Sequence, residues 1–147
     1  MAKKFRATFA IRLSNTIVTA LLRAGVKMGN MTLLTVRGRK SGQLRTTPVA
    51  LIEQDGQRWL VAPYGAVNWV RNLRAAGEAT LTRGRHTEQI TVIELSAKEA
   101  AVTLKESLGI APSFLRQYFD VTPASSLEEF EREAPRHPVF GIHSASS

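Results

Sequence analysis

Arg39, Lys40 and Arg45 flank a Ser41-Gly42 turn in the stretch GRKSGQLRTTP, with Arg37 just upstream and no acid among them. Guanidinium and ammonium groups converging on a turn, together with its backbone amides, make a cradle for a phosphate or carboxylate. Arginine adds bidentate hydrogen bonding, lysine a mobile point charge, and Ser41, Thr46 and Thr47 add neutral donors. Gly42 lets the chain approach a ligand without a Cβ in the way. This chemistry is generic, because a solvated basic turn carries the same residues, and neither GxxxxGK[ST] nor GxGxxG occurs. Further along, Trp69 and Asn72 stand three positions apart and share one face of a helix. That spacing suits a hydrogen bond from Asn72 to a ligand. Trp69 either stacks beside the ligand or anchors its helix in the core.

The charge of the whole chain points the same way. The net charge is +8, half of the twenty cations precede Glu53, and Glu53 is the first acid. Such an electropositive half suggests an anionic partner: a phosphorylated cofactor, a nucleic acid or an anionic membrane surface. Nucleic acid is not expected. Aromatic residues make up only 7% of the chain, no strand shows paired stacking aromatics, and helix-turn-helix and zinc signatures are missing. The chain has no cysteine, which excludes disulfides and thiolate chemistry. His86, His137 and His143 lie far apart without HxxxH spacing or a recognisable carboxylate cluster, so no metal site is expected.

The elements that must position these residues follow from periodicity. The 147 residues suit a single structural domain, with an N-terminal segment over 1–28 and a barrel over 29–147. Phe5, Phe9, Leu13, Ile17, Leu21 and Ala24 recur every three or four residues and predict a basic amphipathic helix stopping at Gly25. Such a helix packs on its own domain or lies on a membrane surface. No run reaches the roughly 18 apolar residues of a membrane span, and the N-terminus reads as mature protein rather than a signal peptide. Strands are expected over 32–37, 46–53 and 58–62, with Asp55-Gly56 turning the second into the third. A short helix over 68–76 ends at Gly77. A second hairpin turns at Gly84 between 78–83 and 86–95. Ser96 and Glu99 form a capping box for a helix ending at Gly109. A helical turn over 113–119, an acidic helix over 127–133 and a last extended segment over 135–142 complete the chain. Three strands before the first intervening helix argue for an α+β protein built on a closed or split antiparallel barrel with peripheral helices.

The run LLTVRGRKSGQLRTTPVALIEQDGQRWLVAPYG, followed by NWVRNLRA, resembles the deazaflavin-dependent nitroreductases, which use coenzyme F420. The similarity covers residues 33–81, and Arg136-His137-Pro138-Val139-Phe140 resembles the family's terminal strand. The resemblance implies a split β-barrel of the FMN-binding type and a deazaflavin with an acidic phosphate and polyglutamate tail. It places Arg39, Lys40, Ser41 and Gly42 at that tail, and Arg45, Thr46, Thr47, Pro48, Val49 and Ala50 along the groove. Ala62, Pro63, Tyr64 and Gly65 would line the ring, and Asn68, Trp69 and Asn72 would belong to a closing helix. The stretch Val61 to Trp69 is shorter than its family counterpart and has no clear match for a lysine or serine near the ring.

The resemblance further implies hydride transfer from reduced F420 to a small hydrophobic acceptor: an activated C=C bond, a quinone or a nitro compound. Hydride addition leaves an anion, and Tyr64 or Tyr118, or a water, would supply the proton. Phe114, Leu115, Tyr118 and Phe119 would form either an apolar lid or a core plug. FMN on the same barrel is the alternative cofactor, since a cationic turn does not separate the two. The expected setting is cytoplasmic, with peripheral membrane contact if the N-terminal helix binds lipid, and the protein would be a monomer or homodimer.

Overall fold

Two glycine turns set the hairpins. In the computed structural model, which describes Thr19 and residues 31–110 and 119–144, strand β1 (Met31–Arg37) pairs antiparallel with β2 (Leu44–Gln54). The next strand, β3 (Gln57–Val61), pairs back on β2 through Asp55-Gly56. Both turn residues have positive φ, 52° and 78°, the backbone that a type I′ turn demands and that Asp-Gly supplies. Helix α1 (Asn68–Ala76) follows and ends on Gly77, whose φ of 71° lets its N–H reach the Leu73 carbonyl. Strands β4 (Glu78–Arg83) and β5 (His86–Glu94) form the second hairpin, with Arg83 opposite His86 across Gly84-Arg85. Helix α2 (Ala97–Ile110), helix α3 (Leu127–Glu133), a single 3₁₀ turn (Ala134–Arg136) and β6 (Val139–Ser144) complete the described chain.

The strands close into an antiparallel barrel in the order β1-β2-β3-β6-β5-β4. Closure needs β1 against β4 and β6 between β3 and β5, which brings together segments far apart in sequence. Alternate residues point inward, so Leu34, Val36, Val49, Leu51, Leu60, Leu81, Ile90, Phe140 and Ile142 fill the interior. One end of this core is covered by α1, whose Val70 and Leu73 are buried in it. Outside the barrel, α2 and α3 cover Ile52, Val61 and Val139 with Ala100, Ala101, Leu104, Leu108 and Phe130, a second apolar cluster.

The pairing registers show where the barrel splays. Strand β3 meets β2 only from Ala50 onward, and β4 meets β1 only over Leu33–Thr35. The remaining ribbon, Val36-Arg37 with Leu44-Arg45, pairs only with itself among the described residues. It extends beyond the pairs made by β3 and β4 and carries the cationic turn. Pro48 sits opposite Leu33 inside β2, further from the strand start than expected because β2 begins at Leu44 rather than Thr46. On its other side Pro48 lies beyond the last β2–β3 pair, so its missing N–H breaks no ladder there. The helix expected to stop at Gly109 continues to Ile110. The amphipathic helix over 5–24 and the segment 113–118, with Phe114, Leu115 and Tyr118, lie outside the described residues except for Thr19. No helix among the described residues is long and apolar enough to cross a membrane.

Candidate functional site

The cationic turn is ordered from within. Gly38 N–H donates to the Gln43 carbonyl at 2.7 Å, Gly42 N–H to the Gly38 carbonyl at 2.9 Å, and Gln43 N–H to Ser41 Oγ at 3.2 Å. The Arg37 guanidinium reaches the Gly42 carbonyl. Gly42 has a φ of 73°, a conformation that a residue with a Cβ adopts only under strain. At Gly38 a Cβ would stand 3.0 Å from Ser41 Oγ and 3.2 Å from the Gln43 carbonyl. One contact docks the turn to the body. Asn72 Oδ1 accepts from the Arg39 backbone N–H at 3.1 Å and from its guanidinium at 2.7 Å. Asn72 is buried, whereas Arg39, Lys40, Ser41 and Arg45 are exposed. Among the described residues no carboxylate pairs with Arg37, Arg39, Lys40 or Arg45. This donor set, cations with no internal counter-ion plus a hydroxyl on a fixed turn, fits the acidic tail of a phosphorylated coenzyme.

Below the turn, the chain continues as β2. Thr35 and Thr46 face each other across β1 and β2 with hydroxyls 2.8 Å apart. Thr46, Thr47, Pro48 and Ala50 are half-buried, and Val49 is buried in the barrel. Over residues 44–49 the edge of β2 that faces away from β1 has no strand beside it among the described residues, so alternate N–H and C=O groups along it have no ladder partner. This open edge begins where the cationic turn ends.

The third piece is the bend after β3. Ala62 is buried, and Pro63, Tyr64 and Gly65 are half-buried. Ala62 N–H donates to the Pro138 carbonyl at 2.9 Å, and Gly65 N–H to the Ala62 carbonyl at 3.3 Å. The Pro63 carbonyl lies 2.9 Å from His137 Nδ1, and His137 Nε2 lies 2.6 Å from Glu133 Oε2. His137 is 2% exposed and Glu133 5%. Glu133 Oε2 also accepts from the Asp120 N–H at 3.1 Å. The Phe119 ring stacks on the imidazole with centroids 3.7 Å apart. Outside, the Arg136 guanidinium holds Asp120 at 2.6 Å and lies 3.7 Å from Glu133 Oε1. Burial pushes the imidazole below its ordinary range, while the hydrogen bonds to Glu133 and Pro63 pull it upward. A carbonyl oxygen only accepts, so this geometry suits an Nδ1–H donating to Pro63.

These positions answer the sequence expectations unevenly. The turn residues Arg39 to Gly42 lie directly before β2, and Asn72 is joined to them through Arg39; along β2 the side chains from Arg45 to Ala50 alternate between faces, with Val49 in the barrel core. Asn72 uses its oxygen to hold Arg39. Trp69 is half-buried and packs against the barrel core, its ring centroid 6.3 Å from that of Phe140. Asn68 is exposed at the start of α1. Phe119 is buried and stacks on His137. The pairing of His137 with Glu133 was not anticipated from the sequence. The signal was the Glu133–His137 spacing of four, obscured by Pro135 between them. No group of residues able to hold a metal ion occurs among the described residues.

A closed six-stranded antiparallel barrel with a splayed rim is the architecture of the split-barrel oxidoreductases. The chain belongs to the F420H(2)-dependent quinone reductase family, whose model matches residues 8–119. A solved structure described as a domain-swapped dimer superposes with a TM-score of 0.57 at 22% identity, covering 87% of this chain and 95% of its own. The structure of an F420-H2 dependent reductase gives 0.53 at 23% identity, covering 78% and 94%. A protein of unknown function from Agrobacterium tumefaciens gives 0.56 at 13% identity, covering 97% and 59%. These three likenesses are likenesses of fold. The family places the chain among F420-dependent reductases. Its description is of quinone reduction, where the sequence resemblance pointed to nitroreductases.

Proposed function

We propose that this protein binds reduced coenzyme F420 and delivers hydride to a hydrophobic acceptor of the quinone class, within a single domain over 29–147. The observation that carries this reading is the rim hairpin: four cations with no counter-ion among the described residues, fixed to α1 through Asn72, at the end of a β2 edge with no described strand beside it. Family membership supports the cofactor. Arg39, Lys40, Ser41 and Arg45 would hold the acidic tail. Thr46, Thr47, Pro48, Val49 and Ala50 would form the groove wall, and Ala62, Pro63, Tyr64 and Gly65 would lie beside the ring. When bound, the coenzyme supplies a two-electron hydride donor. The chain's own part is to orient the acceptor, exclude water and place a proton. Reduction of a quinone carbonyl system leaves an oxyanion, and Tyr64 Oη, on the bend, is the described hydroxyl suited to protonate or polarise it. Activated alkenes and nitro compounds share the requirement for a hydride and a proton, and are the secondary acceptor classes. The natural oligomer in this reading is a monomer or homodimer, and the setting cytoplasmic, with membrane contact depending on the segment 1–28.

Titration of the purified protein with F420 and with FMN, followed by coenzyme fluorescence, tests the reading. Saturable F420 binding tighter than FMN binding, together with F420H2 oxidation that depends on a soluble quinone, is the expected result. Tighter FMN binding would transfer the site to the flavin, and binding of neither would remove the oxidoreductase proposal.

A further inference from the structure

Pro63 gives its bend no N–H, and its carbonyl is turned to a side chain that comes from 74 positions away. That carbonyl belongs to the same rigid peptide plane as the Tyr64 N–H, so whatever holds it sets the direction from which the Tyr64 side chain departs. Arg136 runs alongside, and a Cβ on Gly65 would stand 3.3 Å from the Arg136 carbonyl. Glu133 and His137 are both buried, with Phe119 stacked on the imidazole. For stability alone, two apolar side chains of similar volume would serve as well, because a buried ionisable pair bears a desolvation cost that its attraction only offsets. The pair instead delivers one N–H to one carbonyl on the bend.

We propose that His137 is a positioning residue for hydride transfer. Its Nδ1–H fixes the Pro63 carbonyl, and with it the Ala62–Gly65 bend, while Glu133 and the stacked Phe119 fix the imidazole. The inference rests on the reading that this bend lines the coenzyme ring. His137 does not touch the reacting atoms and acts through the peptide it holds.

The test compares two shape-related variants. In His137→Asn the amide nitrogen takes the place of Nδ1 and keeps a donor for Pro63. In His137→Gln the amide reaches only toward Glu133. With F420H2 and a soluble quinone, kcat of His137→Gln is expected to fall about tenfold or more, as displacement of a positioning group by a fraction of an ångström does. Asn is expected to restore most of the rate, although both variants melt lower than wild type. Equal kcat in the two variants per folded molecule, with only the melting temperature moved, would make His137 merely structural and overturn the proposal. Nitrogen NMR of the imidazole in the coenzyme-free wild-type protein gives an independent reading that survives failure of either variant to fold. A protonated Nδ1 with a slowly exchanging N–H supports the proposal, and an unprotonated Nδ1 overturns it. Failure of wild type to bind F420 in the titration above would instead strike the functional reading, whatever the imidazole does.

Discussion

Asn72 and Lys40 divide the work of the rim between holding and attracting. Asn72 is buried and collects two hydrogen bonds from Arg39 on one oxygen, whereas Lys40 is exposed and unopposed by any described acid. Charge-assisted hydrogen bonds contribute about 1.5 to 3 kcal/mol each, and about 1.4 kcal/mol is tenfold in affinity. Replacing both Arg39 and Lys40 with alanine should therefore weaken F420 binding by at least about tenfold, and unchanged fluorescence titration would count against the site. Asn72→Asp separates the two roles more sharply. Aspartate keeps an acceptor for Arg39, so the turn stays docked and thermal unfolding should occur at or above the wild-type temperature. Its added negative charge sits against Arg39 and opposes an incoming anion, so F420 affinity should drop. Parallel loss of stability and affinity would show instead that Asn72 acts only through folding.

At the scale of elements, α2 is held at its N-terminus by a reciprocal pair of bonds. Ser96 Oγ accepts from the Glu99 N–H at 3.2 Å and Glu99 Oε1 accepts from the Ser96 N–H at 3.1 Å. Ser96→Ala should cost about 1 kcal/mol, read as a lower denaturant midpoint with an unchanged slope. That capping box was legible because both halves lie three residues apart in the chain. The hairpin turns were legible for the same reason, since Asp55-Gly56 and Gly84 are residue types that adopt the positive φ these turns require. The cationic turn was contiguous as well, so most of the candidate anion cradle was readable before any coordinates. An antiparallel barrel was expected from the run of hairpins, but which strands close it was not legible, because β1 against β4 and β3 against β6 depend on strands recognising partners dozens of residues away. The same holds for the site around Pro63. His137, Glu133 and Phe119 meet it only after β6 has been laid beside β3. The four-residue spacing of Glu133 and His137 spans a helix end and a 3₁₀ turn, where helical periodicity gives no guidance. Trp69 was ambiguous from spacing alone, and its half-buried position against the core follows from how α1 lies on the barrel.

Across the whole molecule, ion pairs among the described residues lie at both ends of the barrel, Arg74 with Glu94 at the end that carries α1, but none reaches the cationic turn. At the rim the cations face solvent. Near the β2–β3 and β4–β5 turns, at the opposite end, cations and acids neutralise one another: Arg83 meets Glu53 at 2.7 Å, and Arg58 grips both oxygens of Glu88 at 2.7 and 2.8 Å. Ser144 Oγ adds a third bond to Glu88, which ties β3, β5 and the end of β6 together. The excess positive charge of the molecule is thus left partly to the rim, where it can draw an anionic ligand toward the groove. The closed end supplies a pH signature. Hydrogen bonds from Arg58, supported by Ser144 and by the charges of Arg58 and Arg83, hold the Glu88 carboxyl at about 2, against an ordinary value of 4.5 and against the opposing effect of burial. A carboxyl whose folded value is depressed contributes stability that is complete above the unfolded value and disappears as pH falls through the folded one. Glu88→Gln should therefore melt below wild type at neutral pH, and the gap should shrink between pH 4.5 and about 2. The pair is partly open to solvent, so salt should narrow the neutral-pH gap as well. Melting curves recorded for both proteins across that range check the expectation. A gap independent of pH would mean that the Glu88 carboxylate gains nothing from Arg58 in the folded state.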